Sequence, residues 1–200
     1  MPKEYKCPQL DNQHFEDKVG LRRAILDEAK FETLDVFDGF AGAGHIWKEM
    51  AKHYKLNSYL PVDKNPKMPG TLKVELTAHS IQAFRPDNFN VVDLDAYDSR
   101  AWELLPHFLK GTRAMAIFVT YGNVDPHALS GFLAHAVGLP SAWRTEFHNA
   151  ALCFYCGEQF LKQLFTSRFK TVKKLTYKHA YAGERVRYYG MLIGPQEAKP

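Results

Sequence analysis

Thr33-Leu34-Asp35-Val36-Phe37-Asp38-Gly39-Phe40-Ala41-Gly42-Ala43-Gly44 carries the clearest structural signal in the chain. Its first half is a β-prone run that stops where the glycines begin, and residues 46–54 then place Ile46, Met50 and His53/Tyr54 at helical intervals. Strand, glycine turn and helix follow one another without a spacer. Outward from this unit, residues 58–62 form a second strand that ends in Asp63 and a Lys-Asn-Pro turn. Residues 71–76, 90–95 and 113–120 supply a third, fourth and fifth strand, with helices expected over 15–30, 99–109 and 127–137. In the first of these helices Val19, Arg22/Arg23 and Leu26 recur at helical spacing.

The end of the chain changes character. Residues 171–178 and 186–193 flank a turn containing Ala182-Gly183, the pattern of an antiparallel hairpin. Alternating strands and helices that close with a hairpin predict an α/β fold: a Rossmann-like, doubly wound, mostly parallel sheet with a C-terminal antiparallel hairpin and one antiparallel edge strand. A length of 200 residues suits one such domain. Residues 1–30 are expected to be a helical extension and 31–195 the core.

A hydrophobic content of 46% with 24% charged residues is that of a soluble globular protein, and no segment approaches the ~20 apolar residues of a membrane span. The start, Met1-Pro2-Lys3-Glu4-Tyr5-Lys6, lacks the apolar core of a secretion signal, so a cytoplasmic location is expected, with no membrane partner. Three cysteines make an odd set that argues against a disulfide framework. Cys153 and Cys156 form a Cys-x-x-Cys pair, but a zinc site would have to borrow Cys7 and His14 from the far end of the chain. The better reading places both cysteines on one face of an amphipathic helix over 150–165, as small apolar residues. No metal is expected, and His107, His135 and His148 read as core, cap or surface groups.

The charge of +4 is unevenly placed, with nine Lys/Arg against three Glu over residues 151–200. There Lys162, Arg168, Lys170, Lys173, Lys174, Lys178, Arg185 and Arg187 alternate with Phe165, Phe169, Tyr177, Tyr181, Tyr188 and Tyr189. Two readings stand side by side: phosphate contacts with base stacking, or a solvated sheet edge whose lysines discourage strand addition.

Ligands of doubly wound sheets sit beyond the carboxyl ends of the strands. Gly39, Gly42 and Gly44 follow the first strand, where absent side chains let a ligand approach the backbone. Asp63 ends the second strand 19 residues after Gly44, a spacing suited to a carboxylate that accepts hydrogen bonds from ribose hydroxyls. Together they describe a nucleoside site. Trp47 stands where a dinucleotide fold would have its third glycine, and Asp38 precedes the loop, where it would repel a pyrophosphate. An NAD(P)-dependent oxidoreductase is therefore the second choice. S-adenosylmethionine carries an ammonium and a sulfonium, and an acid beside the loop attracts it.

With these features in place, the chain resembles the class I S-adenosylmethionine-dependent methyltransferases over about residues 30–195. Their first motif, an apolar strand ending in an acid and Gly-x-Gly, stands here as residues 34–44, and their second as Leu60-Pro61-Val62-Asp63-Lys64-Asn65-Pro66. The third usually has an acid near the adenine; the corresponding stretch is Leu76-Thr77-Ala78-His79-Ser80, where His79 or Ser80 would bond the base, with Glu75 a competing candidate. The fourth stands as Asp93-Leu94-Asp95-Ala96-Tyr97-Asp98-Ser99. It is similar to the Asp-Leu-Asp-Pro-aromatic-Gly-Ser motif of the tRNA guanine-N2 dimethyltransferases, with Ala96 for proline and Asp98 for glycine.

The resemblance implies a cofactor site made of Asp38, Gly39, Phe40, Gly42, Gly44, Asp63, His79 and Asp93, and catalysis by Asp95 and Tyr97. Asp95 would accept the N–H bonds of an acceptor amine while Tyr97 stacks on the base, although an acid here also suits the cap of a helix starting near Ser99. Asp93 would face the cofactor or pair with a buried base such as Arg100. A thiol nucleophile is not expected, because Cys153 and Cys156 fall well after the fourth motif. The expected acceptor is a nitrogen of a nucleic-acid base, RNA ahead of DNA. A catalytically inactive nucleic-acid-binding module of the same fold is a further alternative. With so little chain outside the core, specificity would come from a partner subunit or a homo-oligomer.

Overall fold

The computed structural model describes residues 14–96, 100–108, 113–122, 175–182 and 186–194. Tyr97, the three cysteines, the helices expected over 127–137 and 150–165, and most of the basic tail lie outside them. The elements run α1 (Phe15–Ala29), β1 (Leu34–Gly39), α2 (His45–Met50), β2 (Leu56–Asp63), β3 (Leu72–Lys73), β4 (Val91–Leu94), α3 (Arg100–Phe108), β5 (Met115–Gly122), β6 (Leu175–Ala182) and β7 (Val186–Ile193), with two 3-10 turns at Ser80–Ala83 and Pro86–Asn88. The strands form one sheet in the order β3-β2-β1-β4-β5-β7-β6.

The expected α/β, Rossmann-like and mostly parallel sheet is present, with one difference at its end. β7 is antiparallel both to β5 and to β6, so it lies inside the sheet and β6 is the edge. The antiparallel strand is therefore interior. A tight hairpin would place β6 beside β5 only if the chain added the strands in order; here the return strand β7 takes the inner place. β3 is also shorter than expected. Beyond Lys73 the Val74 N–H turns back to the Leu72 carbonyl and the Ser80 hydroxyl donates to the Glu75 carbonyl, which draws the chain out of the ladder into a 3-10 turn. Because β3 pairs with Val62 and Asp63 alone, β2 is an edge over most of its length, and such a strand tolerates Pro61.

Both faces of the sheet are covered. On one, Phe37, Val92, Leu94, Ile117 and Met191 pack with Leu104 and Phe108 of α3. On the other, Val36, Val91, Phe118 and Leu192 meet Ile25 and Leu26 of α1 with Trp47 and Met50 of α2. Nonpolar runs such as Val91-Val92 follow from this double cover, since a strand buried on both sides has no polar face. Gly190 sets how closely α1 approaches. A Cβ there would lie 2.8 Å from Ile25 Cγ1 and 3.1 Å from the Phe118 ring. That close approach brings the first turns of α1 over the carboxyl ends of β4 and β5. No helix among the described residues is long and apolar enough to cross a membrane.

Candidate functional site

The turn after β1 is held in left-handed backbone at Phe40 (φ 68°), Gly42 (φ 54°) and Gly44 (φ 67°). The Ala41 N–H donates to the Val62 carbonyl at 3.0 Å, and the Gly44 N–H donates to the Ala41 carbonyl at 2.9 Å. Gly44 is required twice over, by its φ and because a Cβ would sit 2.9 Å from the Tyr59 hydroxyl. That hydroxyl donates to Asp38 Oδ2 at 2.8 Å. Asp63, half-buried at the end of β2, accepts the Gly42 N–H at 2.9 Å through Oδ2 and the Asn65 N–H at 2.7 Å through Oδ1. It thus ties the glycine loop to the next strand, and each oxygen keeps a second acceptor position.

Two cations of α1 reach the ends of β4. Arg22 donates from Nε and Nη2 to the two oxygens of Asp93, both at 2.8 Å, and from Nη1 to the Lys18 carbonyl at 2.9 Å. The Trp47 indole N–H also donates to Asp93, at 2.8 Å. This forked geometry is the strong form of an arginine–carboxylate pair. Lys18 donates to Asp95 Oδ2 at 2.5 Å and lies 4.7 Å from the centre of the Tyr188 ring, while the Thr120 hydroxyl donates to Asp95 Oδ1. Burial alone would push Asp95 up, but the charges of Lys18 and Arg22 hold it below the ordinary carboxylate range.

Asp38 differs from both. It is buried, stands opposite Asp93 in the β1–β4 register, and no cation among the described residues bonds it. Burial, then the facing Asp93 charge, push it well above the usual carboxylate range, and the Tyr59 phenol and Arg22 only partly oppose this. Burial and the Asp38 charge in turn raise Tyr59. The phenol therefore stays a donor.

A cavity of about 80 Å³ lies here, lined by residues 40–44 with Lys18, Arg22, Asp38, Asp93 and Asp95 among others. Whole-ligand clefts are typically ~300–1,000 Å³, so only one end of a nucleoside-sized ligand fits inside and the remainder lies outside it.

Of the residues expected in the site, Asp38, Phe40, Gly42, Gly44, Asp93 and Asp95 line this cavity. Gly39 is buried in β1 behind it, Asp63 braces the loop, and His79 is exposed on the turn that follows β3, away from the cavity lining. Ser80 spends its hydroxyl on the Glu75 carbonyl, and Glu75 sits 3.4 Å from Lys64 and 3.9 Å from Arg100. Asp93 does pair with a buried base, but the base is Arg22; Arg100 lies instead 5.3 Å from the Phe40 ring. Tyr188 and Tyr189 are buried in the sheet, which removes them from any surface where bases could stack. Among the described residues no group of three or more His, Cys, Asp or Glu is placed to hold a metal ion.

Lys18, Arg22, Trp47, Tyr59 and Thr120 were not legible as site residues from spacing alone. Arg22 did carry a signal, since a cation on the apolar stripe of α1 needs a buried acid.

No family model matches the chain, and no curated protein matches it. Among solved structures the chain is similar to the plantazolicin methyltransferase BpumL, determined in complex with a triazolic desmethylPZN analog and SAH, at 12% identity and a TM-score of 0.46, over 92% of this chain and 85% of that one.

Proposed function

We propose that this chain is an S-adenosylmethionine-dependent methyltransferase whose acceptor is a nitrogen of a nucleic-acid base, RNA ahead of DNA. One observation carries the cofactor: a buried acid, Asp38, stands under a left-handed glycine loop with no cation bonded to it among the described residues. Such a position suits a ligand that brings positive charge. The residues fit the cofactor in kind. Asp38 would receive its charged end, residues 40–44 would offer backbone with few side chains, and Asp63 keeps acceptor positions for ribose hydroxyls.

When bound, the cofactor supplies a methyl group on a sulfonium that is already a good leaving group. The chain's own task is then alignment and exclusion of water. Asp95, held ionised by Lys18 and braced by Thr120, would accept an N–H of the acceptor and direct its lone pair toward the methyl. Tyr97, two residues on, would stack on the base, and His79 would contact the adenine. The motif of residues 93–99 and the basic residues of the tail support a nucleic-acid acceptor.

Transfer of labelled methyl groups to total RNA, DNA and protein tests the reading, with Asp95→Asn and Asp63→Ala alongside the wild type. Label in RNA that Asp95→Asn abolishes is the expected result; label in protein alone, or full activity in Asp95→Asn, refutes the acceptor or the role of Asp95.

A second reading has one observation in its favour. Both acids at the end of β4 are already committed to cations of α1, as in a binding module of this fold without the chemistry. Nucleic-acid binding with no methyl transfer would be its signature.

A further inference from the structure

Two bases and three acids meet under the glycine loop, and their pairing leaves one acid over. Arg22 is committed to Asp93 and Lys18 to Asp95. Among the described residues Asp38 is left with a neutral phenol from β2. The other groups around it, again among the described residues, are Asp93 in β4 and Asp95 just beyond it, Arg22 and Lys18 from α1, and from α2 the Trp47 indole, already spent on Asp93. His45, which also lines the cavity, is exposed. With all three acids ionised the cluster would hold one uncompensated negative charge in a small cavity. An isolated buried carboxylate relieves that cost by taking up a proton.

We propose that Asp38 is protonated in the free protein and exchanges its proton for the positive charge of the incoming cofactor, so that each S-adenosylmethionine bound releases one proton to solvent. The inference rests on the methyltransferase reading and adds a proton balance to it. Only one bond changes: the Asp38 O–H breaks, the proton leaves to buffer, and the carboxylate remains facing the ligand's cation. The raised Asp38 supports the same conclusion, since burial and the facing Asp93 both favour the protonated form. Release of one proton makes affinity rise with pH by up to about tenfold per unit until Asp38 ionises in the free protein, after which it levels off. An anionic dinucleotide would do the opposite and favour the retained proton.

Isothermal titration of S-adenosylmethionine into the full chain, at one near-neutral pH in phosphate and in Tris, reads the exchange directly, because the two buffers differ in ionisation enthalpy. The expected result is a buffer-dependent heat corresponding to about one proton released per cofactor. In Asp38→Asn the heat becomes independent of buffer and binding weakens; in Tyr59→Phe, which removes a bond favouring the carboxylate, the release persists. Buffer-independent heat in the wild type, or undiminished release in Asp38→Asn, overturns the proposal. Should Asp38→Asn not fold, the slope of wild-type affinity against pH decides, a flat profile being the refuting one. Failure of the cofactor to bind at all would instead refute the methyltransferase reading itself.

Discussion

Replacing Arg22 by methionine keeps much of the side chain's volume while removing its charge and its fork of donors. The guanidinium makes two 2.8 Å bonds to Asp93, and the two side chains are only 3% and 2% exposed. Its loss strands Asp93, buried opposite Asp38. Breaking a buried pair from one side costs about 3–5 kcal/mol. The Trp47 indole continues to donate to Asp93, which places the expected loss near the lower end, about 3 kcal/mol. Against a domain stability of ~5–15 kcal/mol the loss is large enough to measure without abolishing the fold. Urea unfolding followed by tryptophan fluorescence should show a lower midpoint at unchanged slope. The double variant Arg22→Met/Asp93→Leu removes both charges and should keep only the cost of an unpartnered Trp47 N–H, about 1–2 kcal/mol and so less than the single variant. A single variant that loses under about 1 kcal/mol, or a double variant no better than the single, would refute the pairing as described.

Further outcomes follow from the same contacts. Gly190→Ala should destabilise by about 1–3 kcal/mol, because the added carbon meets Ile25 and Phe118 and pushes α1 off the sheet; a thermal melt checks it. Gly44→Ala should cost about 1–2 kcal/mol for its left-handed backbone, displace the Tyr59 hydroxyl and weaken S-adenosylmethionine binding, all measurable on one purified variant. Asp38, whose folded form holds its proton to higher pH than the unfolded chain does, contributes stability that is fully present below the ordinary aspartate range and is lost as pH rises through the raised value. Asp38→Asn should therefore gain stability on the wild type across that window, read from urea midpoints as a function of pH; parallel profiles would contradict the assignment.

Much of this was legible in the residues, and what was not has physical causes. The glycine turn, the acids at the ends of β1, β2 and β4, and the succession of strands and helices along the chain follow from local chemistry, since glycines and β-branched runs act on their own neighbourhood. The inner place of β7 depends on long-range pairing that two similar hairpin strands do not distinguish. The early end of β3 depends on Ser80 reaching back to the Glu75 carbonyl, a contact that β-propensity ignores. The pairing of Asp93 with Arg22 joins residues 71 positions apart, and the helical repeat of α1 could only show that Arg22 shares a stripe with Val19 and Leu26. Lys18, buried one turn earlier, was hidden because lysine normally keeps its charge in water.

Whether the loop of residues 38–44 takes S-adenosylmethionine is decided by equilibrium dialysis of the full chain against labelled S-adenosylmethionine and labelled NAD. Saturable retention of S-adenosylmethionine that Asp63→Ala weakens, with no retention of NAD, is the expected result; saturable retention of NAD without S-adenosylmethionine would overturn it.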